Sequence, residues 1–197
     1  SLILKPSSRQ EKNPMPTTTS KLVRALHYAT EQHRHQRRKD EDASPYINHP
    51  ISLLHILNVE AEIEDTDVLI AALLHDVIED CSGPHQMHIE LRRQEIREQF
   101  GETVLSYVEA VTDDKALPKA KRKQAQIEHA AHIPYGAKLV KIADKTANLR
   151  DITNHPPAKW SPERKTEYFA WAKQVVDVVR GSHAELEGLF DEAHGLQ

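Results

Sequence analysis

Residues 71–80 read Ala71-Ala72-Leu73-Leu74-His75-Asp76-Val77-Ile78-Glu79-Asp80, and the rest of the chain is organised around them. An apolar run with helical spacing ends in a His-Asp pair, and a Glu-Asp pair follows about one turn later. Four polar, metal-capable groups at the end of a buried helix cost free energy unless something pairs with them. A divalent cation would do so, and so would solvent at an exposed helix end. The remaining 187 positions must decide between the two.

Working outward, helical periodicity dominates and alternating β-branched runs are almost absent, which predicts an all-α domain. Ser20 is expected to cap a helix carrying Leu22, Ala25, Leu26, Ala29 and His33. A polar loop follows Arg37-Arg38-Lys39, and Pro50 suits the first position of a second helix with Ile51, Leu54, Ile56 and Leu57 buried. Asp65-Thr66-Asp67 starts the third helix, which runs to His75. Beyond the break at Ser82-Gly83-Pro84, helices are expected at about 86–100, 102–111 and 118–131. A strongly apolar one carries Asp144, a long one runs from Pro162 to Arg180, and a last one starts in a capping box, Ser182-His183-Ala184-Glu185. Residues 1–19, with Lys5, Arg9, Lys12 and three prolines among the first 16, read as a loose leader, and 20–197 as a single domain.

Composition narrows the function. A net charge of −4 argues against a general nucleic-acid binder, and no apolar run approaches the roughly 18 residues a membrane span needs. The single cysteine, Cys81, rules out an intrachain disulfide framework, and with no export signal in view a reducing cytoplasm is the expected compartment. Charge is segregated: residues 40–91 hold 12 Asp and Glu without one Lys or Arg, whereas residues 115–150 hold nine Lys and Arg against Glu128 and Asp144. An acidic part suited to a cation beside a basic part suited to phosphates fits a phosphorylated small-molecule substrate. Oligomeric state stays open.

Three distant stretches offer ligands: His49 before Pro50, His75-Asp76, and Asp144 on an otherwise apolar helix. Asp144 needs a partner there, either a cation shared with the other three or its neighbours Lys141 and Lys145. Two imidazoles with two carboxylates suit Mn, Fe or Zn. Glu79 and Asp80, starting one turn after His75, are placed to act on a water beside the ion.

His49, His75-Asp76 and Asp144 resemble the H…HD…D signature of HD-domain metal phosphohydrolases. More narrowly, Gln36-Arg-Arg-Lys-Asp, Pro45-Tyr-Ile-Asn-His-Pro, Ala72-Leu-Leu-His-Asp-Val-Ile-Glu-Asp, Val111-Thr-Asp-Asp-Lys and Gly136-Ala-Lys-Leu-Val-Lys-Ile-Ala-Asp-Lys resemble the hydrolase domain of the RelA/SpoT family. The match runs from Lys21 to Leu189 and is similar to the stand-alone small alarmone hydrolases of that family. The resemblance implies an HD-domain helical bundle, one Mn²⁺, and hydrolysis of the 3′-diphosphate of guanosine tetra- or pentaphosphate. It implies His49, His75, Asp76 and Asp144 as ligands, and Glu79 and Asp80 as the catalytic acids. Arg38, Lys39, Lys119, Asn148, Arg164 and Tyr168 would contact the nucleotide. The same site acting on adenosine alarmones or NADPH, and a non-catalytic nucleotide sensor, are the alternatives. Two features depart from the family pattern: Cys81 where Thr is common, and a long 81–100 stretch carrying His85 and His88.

Overall fold

A computed structural model describes residues 15–83 and 85–195; the N-terminal leader expected at 1–19 lies mostly outside them. Ten α-helices follow in order: α1 Thr18–Gln32, α2 Asn48–His55, α3 Thr66–Leu74, α4 Val77–Cys81, α5 Gln86–Phe100, α6 Glu102–Ala110, α7 Lys119–His129, α8 Tyr135–Asn154, α9 Pro162–Val178 and α10 Ala184–His194. Among the described residues there is no strand, only two isolated bridges, Arg37 with Pro45 and Asp40 with Pro157.

Helix α3 forms the centre because its sequence allows nothing else. Every residue from Val68 to Leu74 is buried, the pattern of a helix apolar all round. Asp65 starts it, its carboxylate accepting from the backbone N–H groups of Asp67 and Val68. Helices α1, α2, α6 and α8 pack around it. Helix α8 is the second axis, packed on α2, α3, α9 and α10, and it buries Lys141 and Lys145 among its apolar residues. Gly101 joins α5 to α6 at φ +94°, a conformation that an L side chain rarely adopts.

Several local expectations shift. Helix α1 starts under Thr17, whose hydroxyl accepts from Ser20 N–H, so Ser20 is the third helical residue rather than the cap. Helix α2 starts two residues before Pro50, and five residues of π-helix, Ile56–Glu60, extend it. Ile56 and Leu57 are buried as expected, but Leu53 is buried in place of Ile51, which is exposed, and Leu54 is half-buried. The last helix is capped one residue later than expected. His183 Nδ1 accepts from Leu186 N–H, while the Glu187 carboxylate accepts from Gly181 and His183 N–H. Ser182 Oγ instead donates to the Val179 carbonyl.

Candidate active site

The chain turns sharply at His75-Asp76 between α3 and α4, and that turn points both side chains toward α8. His49 comes from the first turn of α2 and Asp144 from the middle of α8. His49 Nε2 lies 3.0 Å from Asp144 Oδ1 and 4.0 Å from Asp76 Oδ2. His75 Nε2 lies 2.9 Å from Asp76 Oδ2 and 3.6 Å from Asp144 Oδ1. The four groups expected to converge do converge. His49, His75 and Asp76 present ligand atoms that all lie within 4.8 Å of one another.

The surroundings of His75 suit a positive charge. Its Nδ1 donates to the Ala72 carbonyl at 2.8 Å, so the neutral ring turns the Nε2 lone pair toward the two carboxylates. Nε2 is buried and has no hydrogen-bond partner. A lone pair facing carboxylate oxygens is repulsive unless a positive charge lies between them. A metal ion provides one; without it a proton does. Burial alone would lower the pKa of His75, but Asp76 and Asp144 outweigh it and hold the ring well above the usual histidine range. Burial would likewise raise Asp144, yet Lys145, His49 and His75 hold it well below the usual carboxylate range. The residues present fit a divalent ion held by nitrogen and oxygen donors.

The two carboxylates are each held by neighbouring donors. Tyr46 O–H donates to Asp76 Oδ2. Lys145 Nζ bonds Asp144 Oδ2 at 3.2 Å and Asn148 Nδ2 donates to Asp144 Oδ1 at 3.1 Å. Of the two lysines weighed as partners for Asp144, Lys145 does pair with it, whereas Lys141 turns to Gln126 Oε1 at 3.5 Å.

Glu79 and Asp80 follow on α4. Asp80 is held from two sides, by Lys115 Nζ at 2.8 Å and by Gln36 Nε2 at 3.0 Å. Glu79 has only a 3.5 Å contact from Asp113 N–H, and burial, with Asp76, Asp113 and Asp80 nearby, pushes its carboxyl up to about 8. Burial and Lys145 together push Lys141, in the same cavity, down to about 8. An acid raised and a base lowered within one pocket is the electrostatic mark of a reaction site.

That cavity, about 230 Å³, opens beside a larger one of about 780 Å³; Arg38, Tyr46, Asp80 and Asn148 line both. Of the residues expected to contact nucleotide, Arg38, Lys39, Asn148 and Tyr168 line these cavities. Lys119 and Arg164 line neither, although burial and the charges of Arg164 and Lys39 together lower Lys119. Arg164 rests on the Trp160 ring, 4.3 Å from guanidinium carbon to centroid. Arg38 is paired with Asp151 at 2.6 Å. His85 and His88, on the long stretch before and into α5, are exposed. Sequence reasoning missed Gln36, Tyr46 and Lys115, although all three stand inside the quoted motifs.

The fold and its His-Asp centre define a class, and comparison with known proteins agrees: the HD-domain family matches residues 25–171, and the chain belongs to it. Within it, the chain is 47% identical over 171 residues to the zebrafish guanosine-3′,5′-bis(diphosphate) 3′-pyrophosphohydrolase MESH1, covering 87% of this chain and 91% of that one. The human MESH1 is 47% identical over 173 residues, 88% and 92% of the two chains. A solved structure, described as a metazoan ortholog of SpoT that hydrolyzes ppGpp and plays a role in starvation responses, is 44% identical. It superposes with a TM-score of 0.80 over 97% of this chain and 96% of that one. The resemblance to the RelA/SpoT hydrolases, and the all-helical HD fold it implied, are borne out. No described helix is long and apolar enough to cross a membrane.

Proposed function

We propose that this chain is a Mn²⁺-dependent hydrolase that removes the 3′-diphosphate of guanosine 3′,5′-bis(diphosphate), releasing pyrophosphate and GDP, or GTP from the pentaphosphate. The observation that carries the reading is the pair of imidazoles, His49 and His75, each set within 4.0 Å of both Asp76 and Asp144. The activity for which the 47%-identical relatives are named supports the choice of substrate.

In this reading His49, His75, Asp76 and Asp144 hold the ion. Once bound, a divalent cation supplies positive charge against phosphate oxygens and lowers the pKa of a water toward neutrality. Water oxygen adds to the phosphorus next to the ribose 3′ oxygen, and the bond between that oxygen and phosphorus breaks. Asp80, with two donors fixing its carboxylate, accepts the proton that the water gives up. Glu79, pushed up to about 8, holds a proton near neutral pH and can pass it to the departing 3′ oxygen. Arg38, Lys39 and Asn148 line the path from the small cavity into the large one, where Tyr168 and Trp160 offer aromatic surface. Lys119 and Arg164 add positive charge at the rim, suited to a second diphosphate.

Purified protein with Mn²⁺ and guanosine tetraphosphate should yield GDP and pyrophosphate in equal amounts; absence of turnover overturns the reading. Competition with adenosine tetraphosphate and NADPH measures how strongly the base is read. Asp80→Asn distinguishes a catalyst from a sensor: a catalyst loses rate and keeps its ion, whereas a sensor changes in neither.

A further inference from the structure

His33 ends α1, 3% exposed, and neither ligates the candidate ion nor lines either cavity of the site. Its Nδ1 lies 2.7 Å from Gln36 Oε1. The other end of that amide, Nε2, donates to Asp80 Oδ2 at 3.0 Å. A carboxylate only accepts, so the amide must present its NH₂ to Asp80 and its carbonyl oxygen to His33. His33 Nδ1 must therefore carry the proton. Burial lowers the pKa of the ring, which fits a neutral imidazole with one N–H. The Nε2 lone pair is buried without a partner, a cost that makes sense only if the ring is kept for its other contacts. One of those is a tilted contact with Tyr46, ring centroids 4.8 Å apart and planes at 38°, and Tyr46 donates to Asp76.

We propose that His33 is a positioning residue that sets the orientation of the Gln36 amide, and through it the carboxylate of Asp80, while its ring braces Tyr46 behind Asp76. One side chain thereby ties the proton-accepting group to the cation-holding group from behind. Without the Nδ1 donor the Gln36 carbonyl oxygen loses the partner that fixes its side chain, and the amide is free to swing away from Asp80. Asp80 would then keep only the Lys115 bond. The Cys81 thiol, 3.4 Å from the same Nδ1, occupies the third side of the ring and accepts at most a weak share of that proton.

The proposal rests on the hydrolase reading, and three variants test it. His33→Phe keeps the ring against Tyr46 but lacks the donor. It should lower kcat about ten- to hundredfold, the range for losing an outer partner of a site residue, with KM and Mn²⁺ affinity within about threefold of wild type. His33→Asn, whose side-chain amide can donate from nearly the same place but which brings no ring against Tyr46, should restore kcat to within about threefold of wild type while weakening Mn²⁺ affinity more than about threefold. In a Gln36→Leu background His33→Phe should cost nothing further, since the relay is already cut. Equal rates for His33→Phe and wild type, equal losses in the Phe and Asn variants, or a loss confined to KM would each overturn the proposal. A readout free of turnover separates the two claims: the side-chain NH₂ resonance of Gln36 in ¹⁵N-labelled protein should move in His33→Phe and return in His33→Asn. If the wild type fails to turn over guanosine tetraphosphate, the substrate reading falls while this resonance still decides the fate of His33.

Discussion

Lys145 Nζ lies 4.2 Å from the centre of the Trp171 ring while bonding Asp144 Oδ2 at 3.2 Å. A lysine 3% exposed thus meets a carboxylate on one side and the negative face of an indole on the other. Trp171 is in turn fixed by its own N–H, which donates to the Lys123 carbonyl. Through Trp171, helix α9 therefore helps hold Lys145 beside the Asp144 carboxylate on α8. Trp171→Leu should lower stability by about 2 kcal/mol or more in urea unfolding. It should also weaken Mn²⁺ binding, because Lys145 loses its fixed place beside Asp144. A Trp171→Leu variant with unaltered ion affinity would show that Asp144 is positioned by α8 alone.

Ion binding must displace a proton from the His75-Asp76-Asp144 cluster. His75 is held well above the usual histidine range by the two acids, and a ligand nitrogen must give up its proton to the metal. Affinity should therefore fall on acidification, about tenfold per pH unit for each proton released. Activity should decline with it through pH 7 to 6. Manganese dissociation constants measured by electron paramagnetic resonance at pH 6, 7 and 8 test this. A constant independent of pH would remove His75 from the ligand set.

Glu79 gives the opposite slope in the metal-free protein. Its carboxyl is raised from 4.5 to about 8, so the folded chain keeps a proton that the unfolded chain releases. The stability this group contributes is complete below about pH 4.5 and is lost as pH rises toward 8. Glu79→Gln, measured by thermal unfolding with chelator present, should gain more in Tm at pH 8 than at pH 5, by more than ~3 °C. The same variant should lose most of its turnover. Equal Tm changes at both pH values would mean that Glu79 is ionised in the fold.

Gly101 tests the fold away from the chemistry. At φ +94° it links α5 to α6 with no intervening residue, and no atom lies near enough to obstruct a Cβ. Gly101→Ala should therefore cost ~1 kcal/mol or more through backbone strain alone, with kcat and ion affinity unchanged. A neutral result in chemical unfolding would show that the α5–α6 junction relaxes freely.

The chain announced its helices and its ion site more clearly than the contacts between them. His49, His75, Asp76 and Asp144 stood out because polar groups on apolar helices demand an explanation, and they converge. Tyr46, Gln36 and Lys115 carried no such tension. Each reads as an ordinary loop residue until the fold sets Tyr46 against Asp76, and Gln36 and Lys115 against Asp80. The shifted caps have a local cause. Thr17 and Ser20 can both start a helix, and only the bond from Ser20 N–H to the Thr17 hydroxyl shows which one does. The capping box written as Ser182–Glu185 was displaced because Glu187, two residues further on, reaches back to two backbone N–H groups at once. The π-turn at Ile56–Glu60 had no sequence sign, since a single extra residue in a helix costs little where Leu57 and Ile56 stay buried.

Asp80 is gripped by one donor from the segment after α1 and another from the link between α6 and α7. The acid-rich and base-rich stretches of the chain are thus buttoned together at this carboxylate, as they are again where Arg150 meets Glu60. Drift of the 112–118 link would slacken that button first and leave the imidazoles where they are. In the proposed mechanism position 115 therefore bears on rate and the α2–α8 contact on ion retention, so a substitution at one should spare the other.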